Sequence, residues 1–215
     1  MLFRSGVDVR FGVEIAALEG KDKVQAVRLS TGEALVCDIV VYGLGVRPNV
    51  DLAATAGLAI DNGIRTNQFL RTDDERIFSC GDVCCYDSRR YGRAVRIENW
   101  RNAEDQADTA ARNMLGQQLG FDAVPWFWSN QYDFALQVAG LPSLGSETKV
   151  ETIGRSRIFL SSDAEGVLRG VSAIGSVRDI AGPIKEFKDV LARTSSYGSS
   201  ASEGPPPKPP DCAHA

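Results

Sequence analysis

Apolar and polar positions alternate in short bursts over the first 42 residues, at 7–11, 24–29 and 35–42, with Ser30-Thr31-Gly32-Glu33 as a turn between the last two. A period of two in runs rich in Val and Ile predicts three short strands in an antiparallel meander. A meander has two faces and cannot bury both by itself, which leads us to expect neighbouring elements that this chain does not supply. The run Gly43-Leu44-Gly45-Val46-Arg47-Pro48-Asn49 follows as a loop, then a short helical pattern through Leu52, Ala53 and Ala56 that Gly57 closes. Further short strands are expected at 64–66 and 77–80, the second running straight into Gly81-Asp82.

The period then changes. Between 99 and 119, Ala103, Gln106, Ala107, Ala110, Ala111, Met114 and Leu115 recur at intervals of three and four, which predicts an amphipathic helix ended by Gly116 or Gly120. Pro125-Trp126-Phe127-Trp128 opens a new unit with strands expected at 134–139, 149–153, 157–160 and 167–174, and a helix at 180–192. Beyond 193 the chain turns to Ser, Gly and Pro, and residues 195–215 are expected to be a disordered tail.

Composition narrows the function classes. With 43% hydrophobic residues in 215, the chain can fill one or two ordinary cores. A net charge of -4 argues against a nucleic-acid or anionic-membrane partner. No apolar run approaches the ~20 residues of a membrane span and the first dozen residues lack a signal-peptide core, so a cytoplasmic protein is expected. The five cysteines (Cys37, Cys80, Cys84, Cys85, Cys212) form no Cys-x-x-Cys pair and are read as reduced thiols. The single histidine, His214, stands far from the cysteines, so no metal site is expected.

Three segments carry candidate chemistry. In Thr72-Asp73-Asp74-Glu75-Arg76-Ile77-Phe78-Ser79-Cys80-Gly81-Asp82-Val83, a carboxylate follows a glycine that permits close backbone approach. Such a carboxylate can accept hydrogen bonds from sugar-alcohol hydroxyls, although a Gly-Asp turn alone is common. In the 96–107 segment, Arg96-Ile97-Glu98-Asn99-Trp100 leads into a helix whose N-terminus is an electropositive end. The third segment, Pro125-Trp126-Phe127-Trp128-Ser129-Asn130-Gln131-Tyr132-Asp133, is an unusually dense aromatic cluster. For both tryptophan-bearing segments the plain alternative is core packing.

Together these segments resemble the FAD-dependent reductases that pass electrons from NAD(P)H to small [2Fe-2S] ferredoxins in Rieske oxygenase and cytochrome P450 systems. The resemblance implies a mixed α/β and α+β fold, with remnants of the NAD- and FAD-binding domains of a flavoprotein with two dinucleotide-binding domains, plus an α+β C-terminal domain. By this resemblance residues 1–48 are the end of the NAD-binding domain, 49–120 the end of the FAD-binding domain, and 121–194 the reductase C-terminal domain. It also implies FAD contacts at Gly81, Asp82, Val83, Glu98, Trp100 and Trp128, with Asp82 on the ribityl chain, and NAD contacts at Gly43 and Gly45. Trp126 is expected to pack in the core while Trp128 lies near the flavin edge that faces ferredoxin.

Related disulfide reductases use a redox-active cysteine pair and a C-terminal histidine as acid or base. Here His214 sits in the Pro-rich tail, which favours the ferredoxin branch, because electron transfer needs no base at the exit. Neither of the family's two Gly-x-Gly-x-x-Gly pyrophosphate turns occurs in the chain, so weak or absent FAD binding is expected of it alone. The alternative is a non-catalytic module that docks a ferredoxin or another subunit, with Arg178, Lys185, Lys188 and Arg193 as a basic patch.

Overall fold

A computed structural model describes residues 6–193 and 212–214, and divides them into two units, one up to Arg47 and one from Pro48. In the first unit three strands form an antiparallel sheet in the order β1 (Ile15–Glu19), β2 (Ala26–Leu29), β3 (Ala34–Val36). The turn between β2 and β3 forms where expected, with Gly32 at φ 87° donating its N–H to the Leu29 carbonyl. The first strand is a correction. Residues 7–11 stay unpaired, because Ile15–Glu19 pairs with β2 and is clamped there by the forked Arg28–Glu19 pair, at 2.7 and 3.0 Å. The expected run 35–42 likewise stops at Val36, and 37–49 carry no strand pairing.

The second unit opens with α1 (Asp51–Thr55), closed as expected by Gly57 at φ 77°. Strand β4 (Ile64–Thr66) lies parallel to β5 (Cys84–Ser88), which pairs antiparallel with β6 (Arg93–Arg96). Residues 77–80 are not a strand. They touch residues 70–72 through a single Arg71–Phe78 bridge, and Gly81 at φ 77° turns the chain before β5 can begin. Leu70, Cys84, Tyr86, Val95 and Phe121 form the core of this layer.

Helix α2 (Trp100–Met114) ends before Gly116 and buries Gln106 and Ala110 of the expected stripe, but the rest of its inward face is rotated away from the apolar positions. Asn102, Gln106, Ala110 and Asn113 are buried, whereas Ala107, Ala111, Met114 and Leu115 are exposed. The buried amides settle the rotation, since each finds a partner it would otherwise lose. Asn113 donates to the Phe69 and Leu119 carbonyls at 2.8 and 2.9 Å, and Asn102 to that of Ile97 at 3.2 Å.

The last layer is a five-stranded antiparallel sheet, in the order β7 (Trp126–Gln131), β8 (Phe134–Gly140), β11 (Leu168–Gly175), β10 (Ser156–Ser162), β9 (Glu147–Ile153). The sequence pattern finds four of these strands; the aromatic opening is itself the fifth. On one face lies α3 (Val177–Arg193), whose Ile180, Ile184 and Leu191 recur at helical spacing and pack over Ala135, Ala139, Val171 and Ala173. Small residues keep the helix close. A Cβ on Gly175 would fall 2.0 Å from the Ser156 Oγ, and that hydroxyl instead donates to Asp179 in the first turn of α3, at 2.8 Å. The Ser156 and Ser176 hydroxyls hold the Asp179 carboxyl below its usual range. No helix of the described residues is long and apolar enough to cross a membrane.

Two expectations about the tail and thiols are corrected. Most of 195–215 lies outside the described residues, but β12 (Ala213–His214) pairs parallel with β6. Beside it Cys212 donates its N–H to Asp61 at 2.9 Å and forms a disulfide with Cys85, so these two cysteines are not reduced thiols. A disulfide needs only that the folded chain bring two Cα atoms close, 6.4 Å here, across a separation of 127 residues that spacing cannot reveal. Cys37, Cys80 and Cys84 remain free, and burial pushes the Cys84 thiol up to about 12, against an opposing bond to the Thr66 hydroxyl. An aromatic disulfide reagent on the native, unreduced chain is therefore expected to titrate Cys80 first and Cys37 more slowly, leaving Cys84 silent. Denaturation should release one more thiol and reduction a further two; five thiols without reductant would contradict the Cys85–Cys212 bond.

Candidate functional site

Gly81, Asp82 and Val83 form the tight turn into β5. Both polar backbone groups of Gly81 are satisfied inside the protein, the N–H by Gln106 Oε1 at 2.7 Å and the carbonyl by the Cys84 N–H at 2.9 Å. The Val83 carbonyl accepts from Ile64 N–H at 2.7 Å and ties the turn to β4. With its neighbours so held, Asp82 projects outward: its side chain is exposed, and no hydrogen bond or ion pair engages the carboxylate among the described residues. It is an acceptor held in place with its capacity unspent.

The second part is the approach to α2. Asn99 takes extended backbone angles (φ -157°, ψ 150°), and its Oδ1 accepts from Asn102 N–H at 2.7 Å, so the cap is built by the first residue before the helix. No acidic residue lies in the first turn, so beyond the Asn99 cap no carboxylate of the helix's first turn offsets its positive end. Trp100 starts the helix and is 68% exposed. At the end of β6, the buried Arg96 donates to the Asp82 carbonyl at 3.0 Å, to Glu98 Oε1, and to Asn62 Oδ1 at 3.3 Å.

The third part comes from β7. Trp128, 43% exposed, meets Trp100 edge to face at 6.5 Å between centroids and stacks on Trp126 at 4.7 Å. Such pairs each contribute ~1 kcal/mol beyond their buried area. Trp126 packs on the core of the last layer, as expected, and carries the Lys188 ammonium 4.9 Å above its ring. Lys188 is thereby engaged with the aromatic cluster, whereas Arg178, Lys185 and Arg193 are exposed on α3.

The fold thus gathers Gly81, Asp82, Val83 and Glu98 around one buried arginine, and sets Trp100 against Trp128. Gly43 and Gly45 belong to the first unit, on an unpaired stretch with open space where a Cβ would stand. Arg96 and Gln106 are the residues that sequence reasoning passes over. Arg96 opens the 96–107 segment and Gln106 is one position of the helical stripe, but nothing local to either marks a buried guanidinium or an amide that holds the Gly81 turn. Cys80 and Cys85 stand at Cys-x4-Cys spacing, yet Cys85 is bonded to Cys212, so the two are not a joined redox pair.

Residues 1–107 match the family model of the pyridine nucleotide-disulphide oxidoreductases, and residues 126–196 match that of a reductase C-terminal domain. Over 146 residues the chain is 49% identical to the anthranilate 1,2-dioxygenase system ferredoxin–NAD(+) reductase component of Burkholderia cepacia, covering 66% of this chain and 36% of that protein. Over 140 residues it is 41% identical to putidaredoxin reductase of Pseudomonas putida, covering 64% and 33%. The covalent putidaredoxin reductase–putidaredoxin complex superposes with a TM-score of 0.81 at 31% identity, over 89% of this chain and 46% of that one. The ferredoxin reductase for the CYP199A2 system of Rhodopseudomonas palustris gives 0.78 at 33% identity, over 90% and 50%. The chain spans about a third of the length of the curated relatives and about half that of the solved structures.

Proposed function

The chain belongs to the pyridine nucleotide-disulphide oxidoreductases, in the group with a reductase C-terminal domain, and from that premise we propose that it forms part of a flavoprotein passing electrons from NAD(P)H to a [2Fe-2S] ferredoxin. The observation that carries this reading is the outward carboxylate of Asp82 together with a helix start that has no acidic residue in its first turn and two exposed tryptophans. These donors and surfaces fit FAD. A free carboxylate suits ribityl hydroxyls, an electropositive helix end suits a ring that gains negative charge on reduction, and indole faces suit a flat heterocycle.

When bound, FAD supplies the means of accepting a hydride and releasing electrons singly. The protein's part is to place and surround it. Asp82 would hold the polyol, with Gly81 and Val83 fixing the turn that presents it, and the start of α2 would offer its positive end to the flavin's pyrimidine side. Glu98 lines the approach, while Trp100 and Trp128 shield the ring edge from water. On this reading residues 1–48, 49–120 and 121–194 are portions of an NAD-binding, an FAD-binding and a C-terminal interface domain, and Gly43 and Gly45 pass near the nicotinamide cofactor.

Because the sequence contains no Gly-x-Gly-x-x-Gly turn, this chain of 215 residues lacks the usual cradle for either pyrophosphate and binds FAD weakly by itself. Titrating it into FAD and following flavin fluorescence is expected to give saturable quenching, with the flavin lost on gel filtration. No quenching would sink the flavin reading. A stoichiometric yellow protein that reduces a dye with NADH would instead overturn the claim of weakness.

A further inference from the structure

We infer that Arg96 is a positioning residue, a buried clamp that fixes the Gly81-Asp82 turn and the start of α2 in one mutual placement. Its functional half rests on the flavin reading above. The guanidinium is almost fully buried, at 3% exposure, and reaches three separate segments. One terminal nitrogen donates both to the Asp82 carbonyl, at 3.0 Å, and to the Glu98 carboxylate; the other donates to Asn62 at 3.3 Å.

The partners explain why arginine stands here. The planar guanidinium fixes one nitrogen on a carbonyl and a carboxylate while its second nitrogen reaches Asn62, and the single freely rotating ammonium of lysine cannot reproduce that spread. Burying the charge is tolerable because Glu98 offsets it. The chain also makes room, since a Cβ on Gly63 would fall 2.8 Å from Arg96 Cδ. Asp82 and Glu98 are themselves candidate flavin contacts, one on the turn and one at the approach to α2, and Arg96 joins them without itself pointing to solvent. Its loss would let the turn and the helix start drift independently, although each keeps its own anchor, Gln106 for the turn and Asn99 for the helix.

The test is Arg96→Lys in the full chain, read by amide hydrogen exchange without flavin and by FAD titration. Exchange in segments 80–84 and 98–102 is expected to rise about tenfold together, and FAD affinity to fall about tenfold, with the α3 core still protected. Asn62→Gly, which removes the third partner at a position already at φ 47°, should leave both segments as they are. Should R96K not fold, Glu98→Gln decides, with faster exchange expected in 98–102. Unchanged protection in both segments overturns the clamp. Raised exchange with unchanged FAD affinity overturns its functional half. Absence of FAD binding by the unmodified chain removes the flavin reading and that half with it, while the clamp still stands or falls on exchange.

Discussion

Replacing Arg90 with methionine is expected to lower the unfolding free energy of the second unit by about 3 kcal/mol. Arg90 is 5% exposed and links three places far apart in sequence. Its guanidinium donates to the Leu191 carbonyl near the end of α3, and to both the carbonyl and the carboxylate of Asp122, each at 2.8 Å. Methionine fills much of the space but leaves the buried Leu191 carbonyl and the partly buried Asp122 carbonyl without a donor, and an unmet buried polar group costs about 1–3 kcal/mol. The Asp122 carboxylate adds less, being partly exposed. Its pKa is raised, because partial burial outweighs the attraction of Arg90. All three tryptophans, at 100, 126 and 128, lie in this unit, so urea denaturation followed by indole fluorescence reads it alone. A loss below about 1 kcal/mol would show that these carbonyls are served by water instead. A large loss would establish Arg90 as the tie that holds the last sheet, and with it Trp128, to the layer that carries Asp82.

The second large effect concerns binding rather than folding. Asp82→Ala is expected to weaken FAD binding about 10- to 100-fold, the range for losing a hydrogen bond or two to a charged acceptor. Stability should move by less than about 0.5 kcal/mol, because the side chain is exposed and has no partner among the described residues to lose. The combination is the diagnostic. Had the residue a structural role, melting temperature and affinity would fall together. An affinity equal to that of the unmodified chain would remove Asp82 from the proposed site, and with it the observation on which the function rests.

How much of this is legible in the sequence depends on the distance over which each feature is decided. The closing glycine of α1, the Gly32 turn, the end of α2 before Gly116 and the helical stripe of α3 all follow from local rules, and the fold shows each of them. The family resemblance was equally local, resting on the Gly81-Asp82 turn, the 96–107 segment and the aromatic cluster at 125–133. Where the reading slipped, two local options competed and a distant partner chose. Residues 7–11 and 15–19 both suit a strand, and Arg28 with the β2 edge selects the second. For α2, the expected stripe runs through Ala103, Gln106, Ala107, Ala110, Ala111, Met114 and Leu115, and Gln106 and Ala110 are buried, but Asn102 and Asn113, with backbone partners 5 to 44 residues away, rotate the helix so that Ala107, Ala111, Met114 and Leu115 face out.

The order and kind of most elements, and the family, can thus be read from the amino acids alone, because these rest on side-chain periodicity and turn chemistry within a few residues. Only the tertiary structure decided that the aromatic run is a strand, that Cys85 and Cys212 meet, and that Arg96 and Arg90 are buried hubs rather than surface charges. A buried charge is settled by the partners that surround it, and those of Arg90 lie 32 and 101 residues away along the chain.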